Sequence, residues 1–176
     1  MYIGALSSIT QNYAEEDIDL LVSISGPETA RTTFEKIILK QIRNISGKKV
    51  VVLGKPGEHV PFEGSEDLQI FPHLPRDEMS RMMNRARVIV CRSGYSTVME
   101  LVALKKKALM IPTPGQTEQE YLAKYYLENG YFQIAFQKDL DLKKEIEVLR
   151  NSNNHQAPDT PVNNTEKFLK YLSITE

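Results

Sequence analysis

CRSGYSTVMELVALKKKALMIPTPGQTEQ, residues 91–119, is the stretch from which the rest of the chain can be read. It follows Val88-Ile89-Val90, and Val88 to Cys91 is a short β-branched run bounded by charge and glycine, as a buried strand is. Ser93-Gly94 makes a turn. Val98, Leu101, Val102 and Lys105 then recur at helical spacing. The second half repeats the unit. Leu109-Met110-Ile111 reads as a strand, Pro112-Thr113-Pro114-Gly115 as a rigid loop, and Thr117 to Asn129 as a helix stopped by Gly130. Two polar loops therefore leave one rim of one sheet, each at a strand's carboxyl end and a helix's amino end. Open α/β sheets bind ligands there, and free backbone N–H groups attract phosphate.

Outward from this centre the same alternation continues. Asp19 to Ser25 is a buried strand broken by Gly26-Pro27-Glu28. Thr29 to Ile45 reads as a helix, with Phe34, Ile37, Ile38, Gln41 and Ile45 on one face and a Thr32-Glu35 capping box near its start. Gly47 ends it, and Lys49 to Leu53 is the next strand. A loop from Gly54 to Asp67 leads to a short strand, Leu68 to Phe71. Pro72-His73-Leu74-Pro75 forms a rigid exit, with Pro75 opening a helix whose Met79, Met82, Met83 and Ala86 face inward. Past Gly130, Tyr131 to Phe136 is a strand and Asp139 to Arg150 a helix. Met1 to Thr10 is mixed, with Tyr2 to Leu6 an edge strand or tail. We expect residues 1–150 to form one domain, 151–164 a polar linker and 165–176 a short final helix. Strand and helix alternation implies an α/β, three-layer, Rossmann-like domain, mostly parallel, with helices on both faces.

Composition narrows the function. The 176 residues are 41% hydrophobic and 26% charged, enough for one domain with a full core. A net charge of −1 supplies no global field for nucleic acid, so no nucleic-acid partner is expected. The single cysteine, Cys91, excludes a disulfide framework and fits a reducing compartment. No apolar run is long enough to span a bilayer. The expected location is cytoplasmic, with peripheral membrane contact left open.

Each candidate group has a bland alternative. Ser93, Gly94, Tyr95, Ser96 and Thr97 read either as a plain turn with hydroxyl caps or as a diphosphate cradle of backbone N–H groups. Glu100 reads either as the partner of Thr97 in a capping box or, in the first helical turn, as the acceptor for a ribose diol. Gln116, Glu118, Gln119 and Glu120 are either a solvated turn with a Thr117-Glu120 box or a set of groups for sugar hydroxyls. Gly26 is either a breaker or a place where a ligand approaches the backbone. His73 is more ordinarily structural, and His59 and His155 have no metal-ligand spacing. No metal or cofactor is expected. Asp17-Ile18-Asp19 and Asp139-Leu140-Asp141 are better read as a strand start and a helix cap than as metal-binding D-x-D motifs. Lys105-Lys106-Lys107 reads as a solvated helix end, and Arg76, Arg81, Arg85, Arg87 and Arg92 as a solvated face.

Cys91 to Glu100 with S-G-x-x-T-x-x-E, followed by Pro112 to Gln119, resembles the donor-binding half of the glycosyltransferase family that contains the peptidoglycan N-acetylglucosaminyltransferase. The resemblance covers about Tyr2 to Arg150. It implies the carboxyl-terminal half of a two-domain GT-B fold, binding a UDP-sugar, with UDP-N-acetylglucosamine the expected donor. On that resemblance Glu100 holds the ribose, and Ser93, Gly94, Tyr95, Ser96 and Thr97 hold the diphosphate. Gln119, with Glu118 and Glu120 nearby, meets the sugar, and Leu74 with His73 beside it frames the uracil, mainly through backbone atoms. No catalytic residue is assigned here, because the family's base and acceptor site belong to an amino-terminal half, which a longer chain or a partner chain would supply. The implied reaction inverts the anomeric carbon, the helix end stabilising the departing diphosphate without metal. Three departures stand out: Ser25-Gly26-Pro27 replaces the family's Gly-Gly-Ser loop, Ser8 stands where an arginine is frequent, and Glu120 replaces the second glutamine of the family's Q-Q pair. Two other readings are a nucleotide-sugar 2-epimerase half and a non-catalytic interaction domain.

Overall fold

The computed structural model describes residues 7, 9, 11, 12, 14–57, 64–152, 157 and 158. The expected Tyr2 to Leu6 strand, Ser8, His59, His155 and the final helix lie outside them, as does most of the linker. Short apolar runs make the strands. β1 is Leu20–Ser23, β2 Lys49–Val52, β3 Leu68–Phe71, β4 Val88–Cys91, β5 Lys107–Met110 and β6 Gln133–Ile134. The helices are α1 Ala30–Gln41, α2 Arg76–Arg85, α3 Tyr95–Leu104, α4 Thr117–Glu128 and α5 Leu142–Asn151.

All six strands are parallel, in the order β3-β2-β1-β4-β5-β6. Leu21 pairs with Ile89 and Cys91 with Met110, so the centre of the sheet is the hydrophobic stretch that precedes the two rim loops. Alternate strand residues face opposite layers. Leu21, Val50, Ile89, Cys91 and Met110 pack against Met83 of α2, Val98, Leu101 and Val102 of α3, and Ala123 and Tyr126 of α4. Leu20, Val22, Val51, Val90 and Leu109 pack against Phe34 and Ile38 of α1 and Ile146 and Leu149 of α5. The three-layer α/β architecture is thus present, with two cores sharing one sheet.

Several boundaries differ from expectation. The first helix ends at Gln41 and tightens into a 3-10 turn, Ile42–Asn44. The 131–136 strand shrinks to Gln133–Ile134, because it pairs only with the end of β5 while Phe132 turns into the core. The last helix starts at Leu142, where the Asp141 carboxylate accepts the Lys144 N–H at 3.1 Å, and it runs through Asn151, one residue past the expected boundary. The lysine run is not a solvated end. Lys105 is the left-handed C-cap of α3, but Lys106 is buried, donating to the Asn84 carbonyl at 2.7 Å and to Glu16, and Lys107 donates to the Ser152 carbonyl at 2.7 Å. Asp17 and Asp19 do serve the start of β1. Asp17 takes two hydrogen bonds from Arg85, at 2.7 and 2.6 Å, and Asp19 accepts the Lys48 N–H at 2.8 Å.

Candidate functional site

From β1 the chain winds outward to β2 and β3, then returns to β4 on the other side of β1 and winds the opposite way. The loops after β1 and β4 therefore diverge and leave a crevice at the carboxyl rim, the place where sheets of this order bind nucleotides.

The amino end of α3 lies on this crevice. Gly94 is its N-cap in an extended conformation and has no side chain to offer, so the first-turn N–H groups are not capped from within. Tyr95 and Ser96 are exposed, and Gly94 and Thr97 half-buried. This is the arrangement that binds anions. The Thr97–Glu100 capping box does not form, because Thr97 is the third helical residue and Gly94 takes the cap position. Glu100 stands in the second turn, not the first. It is half-buried with no hydrogen-bond partner among the described residues. Burial raises its pKa from the ordinary glutamate value, and the charge of Arg76, the first residue of α2, pulls partly the other way. A half-buried carboxylate without a donor is suited to accept hydroxyl protons from a ligand.

Ser93 is fully buried, and its hydroxyl donates to the Gln119 carbonyl at 3.0 Å. It is a clasp between the amino ends of α3 and α4 rather than an open hydroxyl. The loop after β5 is held by its own helix. Gln119 Oε1 accepts the Thr113 N–H at 3.0 Å, Gln119 Nε2 donates to Gln116, and Glu120 accepts the Gly115 N–H at 2.9 Å. The Thr117–Glu120 box is thereby replaced: Gln116 is the N-cap, and Glu120 reaches back past it. Gln116 and Gln119 stay half-buried at the rim, and Glu118 and Glu120 are exposed. Gly26, in the loop after β1, has φ +117° and faces Thr113. The Leu74 side chain is buried in the core, which leaves only its backbone for a ligand, while His73 beside it is exposed. The exit from β3 leads through these two into α2 and so to Arg76 near Glu100.

The clearest correction concerns Arg92. It is not on a solvated face but 1% exposed. Its guanidinium donates to the carbonyls of Ile111 (3.2 Å), Pro112 (3.1 Å) and Ala30 (3.2 Å) and to Gln137 (2.7 Å), and it stacks 4.0 Å above the Phe34 ring. It ties the loops after β1, β4 and β5 together from beneath. Burial lowers its pKa to about 10, so it stays charged at neutral pH. Arg31 does similar work at the other side, donating to the Leu53 carbonyl at 3.3 Å and pairing with Glu28 and Glu35. Neither role shows in the sequence, where an arginine after a strand looks like any surface arginine.

Among the described residues no group of three His, Cys, Asp or Glu side chains is placed to hold a metal, and no helix is long and apolar enough to cross a membrane. A separate concavity of about 220 Å³ lies at the opposite rim, lined by Asn44, Ser46, Lys143, Glu147 and Arg150.

Comparison with known proteins places the chain in a family. The glycosyltransferase family 28 C-terminal domain matches residues 27–173. A UDP-N-acetylglucosamine--N-acetylmuramyl-(pentapeptide) pyrophosphoryl-undecaprenol N-acetylglucosamine transferase from Caldanaerobacter subterraneus is 26% identical, across 74% of this chain and 38% of its own. One from Bacillus cereus is 33% identical, across 70% of this chain and 35% of its own. The chain thus spans well under half the length of these relatives. In fold it is similar to MurG of Acinetobacter baumannii, with a TM-score of 0.52 at 19% identity over 77% of this chain and 40% of that one. It is similar also to the glycosyltransferase SnogD of Streptomyces nogalater, with a TM-score of 0.57 at 14% identity over 92% of this chain and 45% of that one. With most of its length matched by one family, the chain belongs to the glycosyltransferase family 28 C-terminal domain family.

Proposed function

We propose that this chain is the donor-binding half of a glycosyltransferase and holds a UDP-sugar, with UDP-N-acetylglucosamine the favoured donor, for transfer to an acceptor presented by a further domain or a partner chain. One observation carries the reading: an uncapped helix amino end and an unpartnered, half-buried carboxylate, Glu100, stand together on α3 at the switch point of a 3-2-1-4-5-6 sheet. The carboxylate accepts from the ribose hydroxyls. The N–H groups of Tyr95, Ser96 and Thr97 meet the diphosphate, with the helix dipole favouring its charge. The rim groups Gln116, Glu118, Gln119 and Glu120, at the cap and first turn of α4, meet the sugar, and the backbone at His73 and Leu74 meets the uracil.

The chemistry follows from that placement. A base on the other half takes the proton from the acceptor hydroxyl, which attacks the anomeric carbon as the bond to the diphosphate breaks. Negative charge grows on the leaving phosphate, where the α3 N–H groups already point. The relatives' names specify an undecaprenol-linked acceptor, which extends the proposal to a lipid-linked acceptor and to membrane contact through the other half.

Calorimetric titration with UDP, UDP-N-acetylglucosamine and ADP tests this reading. We expect binding of both uridine nucleotides and at least about tenfold weaker binding of ADP. Equal affinity for ADP, or no heat with any of the three, would remove the proposal.

A further inference from the structure

We infer that the Thr113 hydroxyl is a specificity-determining contact, donating a hydrogen bond to the phosphate that lies farther from the ribose in a bound nucleoside diphosphate. This rests on the donor-site reading above.

Thr113 is 2% exposed, and its Oγ1 has no hydrogen-bond partner among the described residues. Buried hydroxyls are normally paired, and an unpaired one in a well-tied loop marks a place where a partner is expected. The loop is well tied. Gln119 holds the Thr113 N–H at 3.0 Å, and Arg92 holds the Ile111 and Pro112 carbonyls at 3.2 and 3.1 Å. The same guanidinium holds the Ala30 carbonyl at 3.2 Å, so the loops after β1 and β5 are fixed relative to each other, and its Nε is a second buried polar atom without a partner among the described residues.

The hydroxyl faces the loop after β1. It lies 3.7 Å from where a Cβ on Gly26 would be, so this side of Gly26 is bare. Pro27, Pro112 and Pro114 have no N–H, and that of Thr113 is already taken. The Thr113 hydroxyl is therefore a donor that these two loops still have to offer. Its position along the crevice sets what it meets. The charge of Arg76, at the start of α2, reaches Glu100, whereas Thr113 lies beside Gly26, where the loops after β1 and β5 meet. A nucleotide whose ribose is on Glu100 runs past the α3 amino end and brings its outer phosphate to Thr113.

The test measures dissociation constants of UMP and UDP for the wild-type chain, T113V and T113S. Valine keeps the shape and removes the donor, and serine keeps the donor. We expect T113V to lose about five- to tenfold in UDP affinity while UMP affinity is unchanged, and T113S to stay within about twofold of wild type for both. A T113V that binds UDP like wild type overturns the inference and leaves the donor-site reading intact, as does one that loses UMP and UDP alike. A wild-type chain that binds no uridine nucleotide overturns both. Should T113V fail to fold, T113A compared with T113S gives the same reading.

Discussion

Glu100 carries an energetic cost that a ligand can relieve. Its carboxylate is half-buried with no donor among the described residues, and its pKa is raised by burial. The folded state therefore holds the Glu100 proton more tightly than the unfolded chain does. Stability from this group is fully present below the unfolded pKa of ~4.3 and is lost as pH rises through the higher folded value. E100Q should match wild type in thermal stability near pH 4 and exceed it at pH 7, by about 2–4 °C, in melts run at both values. The same variant should bind UDP about 10- to 100-fold more weakly, since charge-assisted bonds to the ribose are lost. Cys91 shows the opposite case, a group made inert by its surroundings. Burial, with the nearby Glu100 charge, pushes its thiol up to about 12. We expect no reaction with a thiol reagent at pH 8 in the folded chain and full reaction in denaturant.

At the scale of elements, the crevice depends on loops held by Arg92. Truncating it strands the carbonyls of Ala30, Ile111 and Pro112 and opens a gap above Phe34. R92A should cost about 3 kcal/mol in urea unfolding and weaken UDP binding in whatever fraction stays folded. Elements of this kind differ in how far the sequence reveals them. Val88–Cys91 and Leu68–Phe71 were legible with their ends, because β-branched or apolar runs stop at turn-forming residues there. The Thr97–Glu100 and Thr117–Glu120 boxes were not, since the same spacing occurs inside a first turn when the cap falls earlier, at Gly94 or Gln116. Arg92 and Thr113 were invisible as site-builders, because what covers them comes from α1 and from loops distant in sequence. Glycine gave a partial signal: a Cβ on Gly54 would sit 2.4 Å from the Ile24 carbonyl, so the loop after β2 can lie against β1 only without a side chain.

For the whole molecule, strand order decides where function lies. In a 3-2-1-4-5-6 parallel sheet the carboxyl rim between β1 and β4 is the one opening that backbone geometry makes before any side chain is placed. The α/β alternation in the sequence implied a parallel sheet. It did not give the order, because crossover direction is set by packing of α2 against α3 and α4 on one face and of α1 against α5 on the other. The concavity at Asn44, Ser46 and Arg150, on the amino rim, offers a competing location. Amide shift mapping of the 176-residue chain with UDP distinguishes the two directly. The account predicts saturable shifts at Gly26, Gly94, Tyr95, Ser96, Thr97 and Glu100, with Asn44, Ser46 and Arg150 unmoved. Shifts confined to the amino rim, or none at the α3 amino end, would contradict it.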